Sequence, residues 1–287
     1  MKRERISERE LHDHSPEYHF TTRLPINYDP EADTTTYEQF VGSLVDRDDR
    51  KQTLFEMVGH ALLPDANDRY KNFLILTGDA DNGKSMFYDA VSSLLNGPEG
   101  EENNTAAVKL AKLAQNRFSL NSMYGSLANI AGEIDGKKIR NTANLKDITG
   151  GDEVEIEPKG SDSFFDTIGT TLMFAANDPP ILGERDKQAI ASRIVPVELP
   201  YTFVDDPSGE YEKERVPEEE LRADLEAEEA LSGLLNLALD GLERLEENHG
   251  DVSLEEPPEK RLELYQRSAD PMREFGTVAL ENHPDDY

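Results

Sequence analysis

Eight consecutive residues carry the clearest chemistry in this sequence. Gly78-Asp79-Ala80-Asp81-Asn82-Gly83-Lys84-Ser85 fits the pattern G-x-x-x-x-G-K-[ST] in full. Glycines at those places let the backbone curl so that several N–H groups point at phosphate oxygens. Lys84 would reach the β- and γ-phosphates of a nucleotide, and Ser85 would ligate Mg²⁺. A helix beginning at the lysine would offer its positive end to the same anion. The ligands implied are ATP and Mg²⁺.

Such a loop needs an acid to hold the metal and polarise water. Gly132-Glu133-Ile134-Asp135 follows the apolar run Leu127–Ala131, so Glu133, with Asp135 second, would emerge where open α/β sheets bind ligands. The alternative is an ordinary polar strand end in an acid-rich chain. Asn177 follows Leu172–Ala176 and precedes two prolines. It fits a hydrogen bond to a γ-phosphate or to attacking water, and equally an Asn that opens a turn. Arg193 precedes Ile194–Leu199. Its permanently charged fork suits a transition-state phosphate, in trans if subunits form a ring, with a surface ion pair as the plain alternative. Arg185 is a weaker rival.

Placing these groups requires a sheet. Phe73–Leu76 is a short continuous apolar run, as expected of a buried parallel strand. Met86–Leu95 is helical in pattern and stops at Asn96-Gly97-Pro98. Leu127–Ala131, Thr170–Ala176 and Ile194–Leu199 are further strands, the last at an edge because of Pro196. Val108–Ala114 reads as a helix and residues 97–105 as a polar loop. Strands alternating with helices predict an α/β fold with a mostly parallel sheet. Before the sheet, Tyr37–Leu63 reads as two helices broken at Asp46–Asp49, with Phe40 and Leu44 on one face and Leu54, Met57, Val58, Ala61 and Leu62 on another. After Tyr201 the pattern is helical and acidic. Leu231, Leu234, Leu235, Ala238, Leu242 and Leu245 fall on one helix face. The expected organisation is a loose arm over 1–23, a small helical region over 24–70, the ATPase core over 71–204 and an acidic helical region over 205–287.

The chain has 287 residues, 36% of them hydrophobic, with no cysteine. Disulfide frameworks and Cys-based zinc sites are excluded. No apolar run approaches the ~20 residues of a membrane span, and Met1–Arg5 is charged with no apolar segment behind it. These features predict a cytoplasmic protein with no membrane partner. Sixty acidic residues face thirty basic ones, a net charge of -30. Residues 205–287 hold 26 acids and 8 bases, so the last third is the most acidic. Molar salt shortens the screening length to ~3 Å and removes most of the self-repulsion. A salt-adapted, haloarchaeal-like globular protein fits, and disorder is the alternative.

In order along the chain, these motifs resemble superfamily 3 helicases, the AAA+ motors of viruses, phages and plasmids. The nearer resemblance is to phage and plasmid primase–helicases related to the poxvirus primase–helicase, over roughly residues 20–275. It is carried by Phe20–Pro30, Glu56–Leu63, the Asn-Gly-Lys-Ser end of the loop, Leu145-Lys-Asp-Ile-Thr-Gly-Gly-Asp152, Lys159 with Phe164-Phe165, Asn177-Asp-Pro-Pro180 and Ser192-Arg193-Ile194. The Gly-Gly-Asp block is the most specific. The resemblance implies a P-loop AAA+ fold, with Glu133 as the Walker B acid, Asn177 as sensor 1 and Arg193 as an arginine finger across a ring interface. It also implies a hairpin, on or near Lys146–Lys159, that grips single-stranded DNA in the channel of a hexamer moving 3′ to 5′. Ala80 departs from the second loop glycine of many relatives. No primase region precedes the motor, and the chain ends soon after Asp270–Phe275, short of a winged helix. The expectation is a fragment, a split gene or a minimal motor.

DNA binding at a net charge of -30 needs local cations, and Lys137, Lys138, Arg140, Lys146, Lys159, Arg185 and Lys187 cluster in one stretch. Phe164 and Phe165 either stack on bases or pack in the core. The leading reading is an ATP-dependent DNA helicase or translocase of a viral or plasmid element. Two alternatives stand beside it: a P-loop ATPase that remodels protein, and a non-hydrolysing ATP-binding ring or scaffold subunit. The acidic last third is either a solvated cap or a contact for a separate primase or initiator.

Overall fold

The structure is a computed structural model that describes residues 12, 15–18, 21–115, 117–132, 143–178, 180–181, 189–190 and 192–269. Its centre is a five-stranded, all-parallel sheet in the order β2-β3-β6-β1-β7. The strands are β1 (Phe73–Thr77), β2 (Thr105–Ala106), β3 (Ala128–Ala131), β6 (Thr171–Ala176) and β7 (Ile194–Glu198). β1 lies between β6 and β7, so both its edges are paired, and its apolar run is buried because Leu74 and Leu76 face one core and Phe73 and Ile75 the other. Pro196 does stand on an edge strand, where the missing N–H costs no ladder bond. β2 corrects the polar-loop expectation for 97–105: Thr105 and Ala106 pair with Ala128 and Asn129 of β3.

Two hydrophobic cores flank the sheet. One holds α1 (Thr35–Leu44), α2 (Asp48–His60), α4 (Lys84–Asn96) and α8 (Glu228–Glu247) against Leu74, Leu76, Met173 and Val197. The other holds α5 (Leu110–Gln115) and α6 (Ala143–Gly150) against Ile75, Leu172 and Phe174. All six apolar residues expected on one face of α8 are buried. Each such leucine contributes ~1.5–3 kcal/mol relative to exposure. The last third is therefore not only a solvated surface.

α8 lies along α2 at very short range. A Cβ on Gly59 would fall 2.2 Å from the Ala238 carbonyl oxygen, and one on Gly241 2.5 Å from that of Phe55. Only glycine permits this approach. The carboxylate of Glu56, fully buried, is satisfied by the Ser253 N–H at 2.8 Å, the Ser253 hydroxyl and Arg244 at 3.3 Å.

Residues after Tyr201 do not begin as helix. β8 (Thr202–Val204) and β9 (Glu212–Glu214) form a two-stranded parallel ribbon, followed by α7 (Glu218–Leu225), α8 and α9 (Pro258–Ala269). The acidic composition of this segment hid a ribbon whose pairing is long-range relative to any helical period. β4 (Val154–Ile156) and β5 (Phe164–Asp166) form an antiparallel hairpin beyond α6. α3 (Ala66–Tyr70) precedes β1. No helix among the described residues is long and apolar enough to cross a membrane.

Candidate functional site

The phosphate-loop residues run from the C-terminal end of β1 into α4. Gly83 takes φ 87°, so the turn into α4 favours glycine, and a Cβ there would also push on Leu44 Cδ2 at 2.4 Å. The thirteen residues of α4 then point their N-terminal end at the loop, a place suited to an anion, and the Lys84 N–H there donates to Asn82 Oδ1 at 3.3 Å. Lys84 folds back into the loop. Its Nζ donates to the carbonyls of Gly78 (2.6 Å) and Asp79 (2.7 Å) and to Asn82 Oδ1 (2.9 Å). Partial burial lowers the pKa of its ammonium, with Asp79 opposing. These acceptors are the ones a phosphate would replace. Asp79, Ala80, Asp81 and Ser85 are exposed at the rim, so the Ser85 hydroxyl is open to a hard cation such as Mg²⁺.

Asn177 stands abreast of the loop. Thr77 pairs with Ala176 across β1 and β6, so Gly78 and Asn177 leave adjacent strands at the same level. Both line a cavity of about 420 Å³ at the strand tips, lined also by Arg50, Glu198, Arg261 and Tyr265. The Tyr265 hydroxyl donates to the Pro180 carbonyl at 2.6 Å, which seats α9 over this crevice. Glu133 and Asp135 lie outside the described residues, as do Lys137, Lys138, Arg140, Arg185 and Lys187. β3 ends at Ala131, two positions before Glu133.

Arg193 lies at the opposite end of the strands, at the start of β7. Its carbonyl accepts from Phe73 N–H at the start of β1. Four residues of β1 separate that end from Thr77, about 13 Å of strand. Arg193 is thus remote from the phosphate loop of its own chain. Its Nη1 donates to the Lys146 carbonyl (2.5 Å) and Thr149 Oγ1 (2.8 Å), closing the last turn of α6. Partial burial lowers its pKa, opposed by Asp152 and Asp147. The Gly-Gly-Asp block forms the same joint. Gly151 takes φ 70°, a Cβ there would be 2.4 Å from Asp68 Oδ1, and Asp152 N–H bonds the Asp147 carbonyl.

The hairpin expected near Lys146–Lys159 is β4–β5. Lys159 lies exposed in its turn, whereas Lys146 sits half-buried on α6, outside the hairpin. Phe164 and Phe165 are 37% and 67% exposed, which overturns core packing for both.

Tyr124, 42% exposed, completes this surface. Its ring meets Phe164 edge-on at 5.2 Å and its hydroxyl donates to Asp166 Oδ2 at 2.5 Å. That bond raises the tyrosine pKa and lowers that of Asp166. No local signal marked Tyr124, because its partners lie about forty residues away. Arg215 was missed for the same reason. Its Nη2 lies 3.5 Å from Asp81 Oδ2 of the phosphate loop.

Residues 5–46 match a family described as D5 N terminal like, and residues 76–193 match a family of unknown function, DUF5906. Among solved structures the chain is similar to apo forms of the NrS-1 C-terminal region. Its A form aligns with TM-score 0.56 at 15% identity over 84% of this chain and 53% of that one. Two further apo structures of that region give TM-score 0.57 at 14% identity, over 83% and 85% of this chain and 52% and 53% of theirs. This chain shares its fold with that region and spans about half the length of those chains.

Proposed function

We propose that this chain is the motor of an ATP-driven DNA helicase or translocase of the superfamily 3 type, a primase–helicase relative serving replication of a viral or plasmid element. The observation that carries the reading is the separation of its two catalytic ends. A phosphate loop with a half-buried lysine and a neighbouring Asn177 lies at one end of the parallel strands, and Arg193 lies about 13 Å of strand away at the other end. An arginine so far from its own loop could meet phosphate only in a neighbouring subunit, and the ring this needs is hexameric as the resemblance implies. The D5 match over 5–46 and the fold shared with the NrS-1 C-terminal region support the same reading.

On this reading Lys84 exchanges its loop carbonyls for the β- and γ-phosphates of ATP. Ser85, with Glu133 and Asp135, would hold Mg²⁺, which would supply charge neutralisation at the phosphates. Asn177 orients the attacking water, and Arg193 of the adjoining subunit meets the charge that develops on the phosphoryl group. Single-stranded DNA lies on Tyr124, Phe164 and Phe165, where aromatic rings accept any base, with Lys159 at the backbone. The charge of -30 marks a protein adapted to high salt, where phosphate contacts weaken steeply and stacking matters more. A separate primase or initiator acts beside it, inside the cell.

The test is ATP hydrolysis in multi-molar KCl with Mg²⁺, with and without single-stranded DNA, beside Lys84→Ala. Hydrolysis that rises with DNA and disappears in the variant is expected. Hydrolysis indifferent to DNA would favour a protein-remodelling ATPase, and ATP bound without turnover a scaffold subunit.

A further inference from the structure

The crest of the phosphate loop is strapped from outside by the segment that follows β7. Asn82 Nδ2 donates to the Leu199 carbonyl at 3.3 Å, and Phe203 N–H donates to the Asp81 carbonyl at 2.8 Å. The Phe203 ring lies against Gly83, within 3.7 Å of where a Cβ would stand. The strap is itself anchored: Lys213 Nζ, 3.4 Å from the Tyr201 ring centroid, donates to the Ser43 carbonyl at the end of α1 (2.7 Å).

Arg215 joins strap and loop. Its Nε and Nη2 both donate to the Phe203 carbonyl, at 3.1 and 2.8 Å, and Nη2 also faces Asp81 Oδ2 at 3.5 Å. Asp81 needs such a partner for two reasons. It holds φ 56°, a left-handed conformation uncommon outside glycine, which aspartate adopts more readily than most residues and which a fixed partner helps to hold. It also places a carboxylate on a loop whose N–H groups are aimed at phosphate, and a like charge there opposes the ligand.

We propose that Arg215 is a positioning residue of the nucleotide site. It holds the loop crest in its phosphate-facing arc through Phe203 and offsets the charge of Asp81, so that a nucleoside triphosphate binds. The inference rests on the nucleotide reading of Gly78–Ser85. Arg215 itself acts through Asp81 and Phe203.

The test is titration of the full chain with a fluorescent ATP analogue in Mg²⁺, for wild type, Lys84→Ala, Arg215→Gln, Arg215→Lys, Asp81→Asn and the Asp81→Asn/Arg215→Gln pair. Arg215→Gln is expected to weaken binding about tenfold, in line with loss of a charged hydrogen bond. In the Asp81→Asn background the same change should cost clearly less, a coupling that a general loss of stability would not produce. Arg215→Lys keeps the charge but not the fork on the Phe203 carbonyl, and should fall between. It also serves if Arg215→Gln does not fold. Wild-type affinity in Arg215→Gln or Arg215→Lys, beside lost binding in Lys84→Ala, would overturn the role of Arg215 and leave the nucleotide site standing. An equal loss with and without Asp81 would overturn the coupling. Unchanged binding in Lys84→Ala would remove the nucleotide reading, and this inference with it.

Discussion

The phosphate loop and the β4–β5 hairpin are held in opposite ways. The loop is pinned by residues far along the chain, Asn82 to Leu199 across 117 positions, and its lysine is spent on its own carbonyls. The hairpin leans on Tyr124, across 42 positions to Asp166, and leaves its rings open. On the proposed function, a receptor for one small, highly charged ligand gains from a backbone that does not rearrange, since its N–H groups must already point inward. A surface for a polymer with varying bases gains from exposed rings that tolerate any of them. The Gly-Gly-Asp joint connects the two regimes, because Arg193 ties the end of α6 to the start of β7.

The sharpest way to break this comparison is Lys84→Ala. It should reduce ATP binding and hydrolysis more than a hundredfold and leave DNA binding without nucleotide unchanged, measured by fluorescence anisotropy of a labelled oligonucleotide. Loss of both together would mean that the two regions are not separate sites. Next in size is the double change Phe164→Ala/Phe165→Ala. Stacking contributes ~1–3 kcal/mol per base, so single-stranded DNA affinity should drop at least tenfold with ATP affinity intact. Unaltered DNA affinity would return the rings to ordinary surface.

Acid probes the floor beneath both regions. His60 is fully buried, hydrogen-bonded through Nδ1 to Thr171 Oγ1 at 2.7 Å, with no partner at Nε2 among the described residues. Burial lowers its pKa from 6.5 to about 3. The unfolded chain therefore binds a proton that the folded chain refuses between those values. Its contribution is complete above pH 6.5 and is lost as pH falls toward 3. At pH 5.5 the loss should be about 1.4 kcal/mol. Urea denaturation of wild type should show this step and His60→Leu should lack it. If loop and hairpin rest on one cooperative sheet, both lose hydrogen-exchange protection together. The smallest effect is expected from Tyr124→Phe, which deletes the bond to Asp166 and keeps the ring. DNA affinity should fall about threefold, near 0.7 kcal/mol, within the worth of one hydrogen bond. A larger loss would make the hydroxyl itself a DNA contact.

Much of the site was legible one element at a time. β1, the loop and α4 are contiguous, and their signal is a buried run, a glycine-bounded turn and a helical period. The apolar face of α8 and the edge position of Pro196 also followed from local pattern. Phe164 and Phe165 did not, because two aromatics in a row look the same whether a core or solvent lies behind them. The ribbon over 202–214 was hidden by its charge, and β2 by being two residues long.

The sequence by itself determined which groups could meet phosphate, and in what order along the chain. Backbone curl, helix start and side-chain chemistry are properties of a few neighbouring residues. Only the tertiary structure decided what holds the loop, which rings stay exposed and which end of the sheet Arg193 occupies. Those are outcomes of contacts between segments tens to more than a hundred residues apart, and of how two cores close on the faces of one sheet. No local period records them.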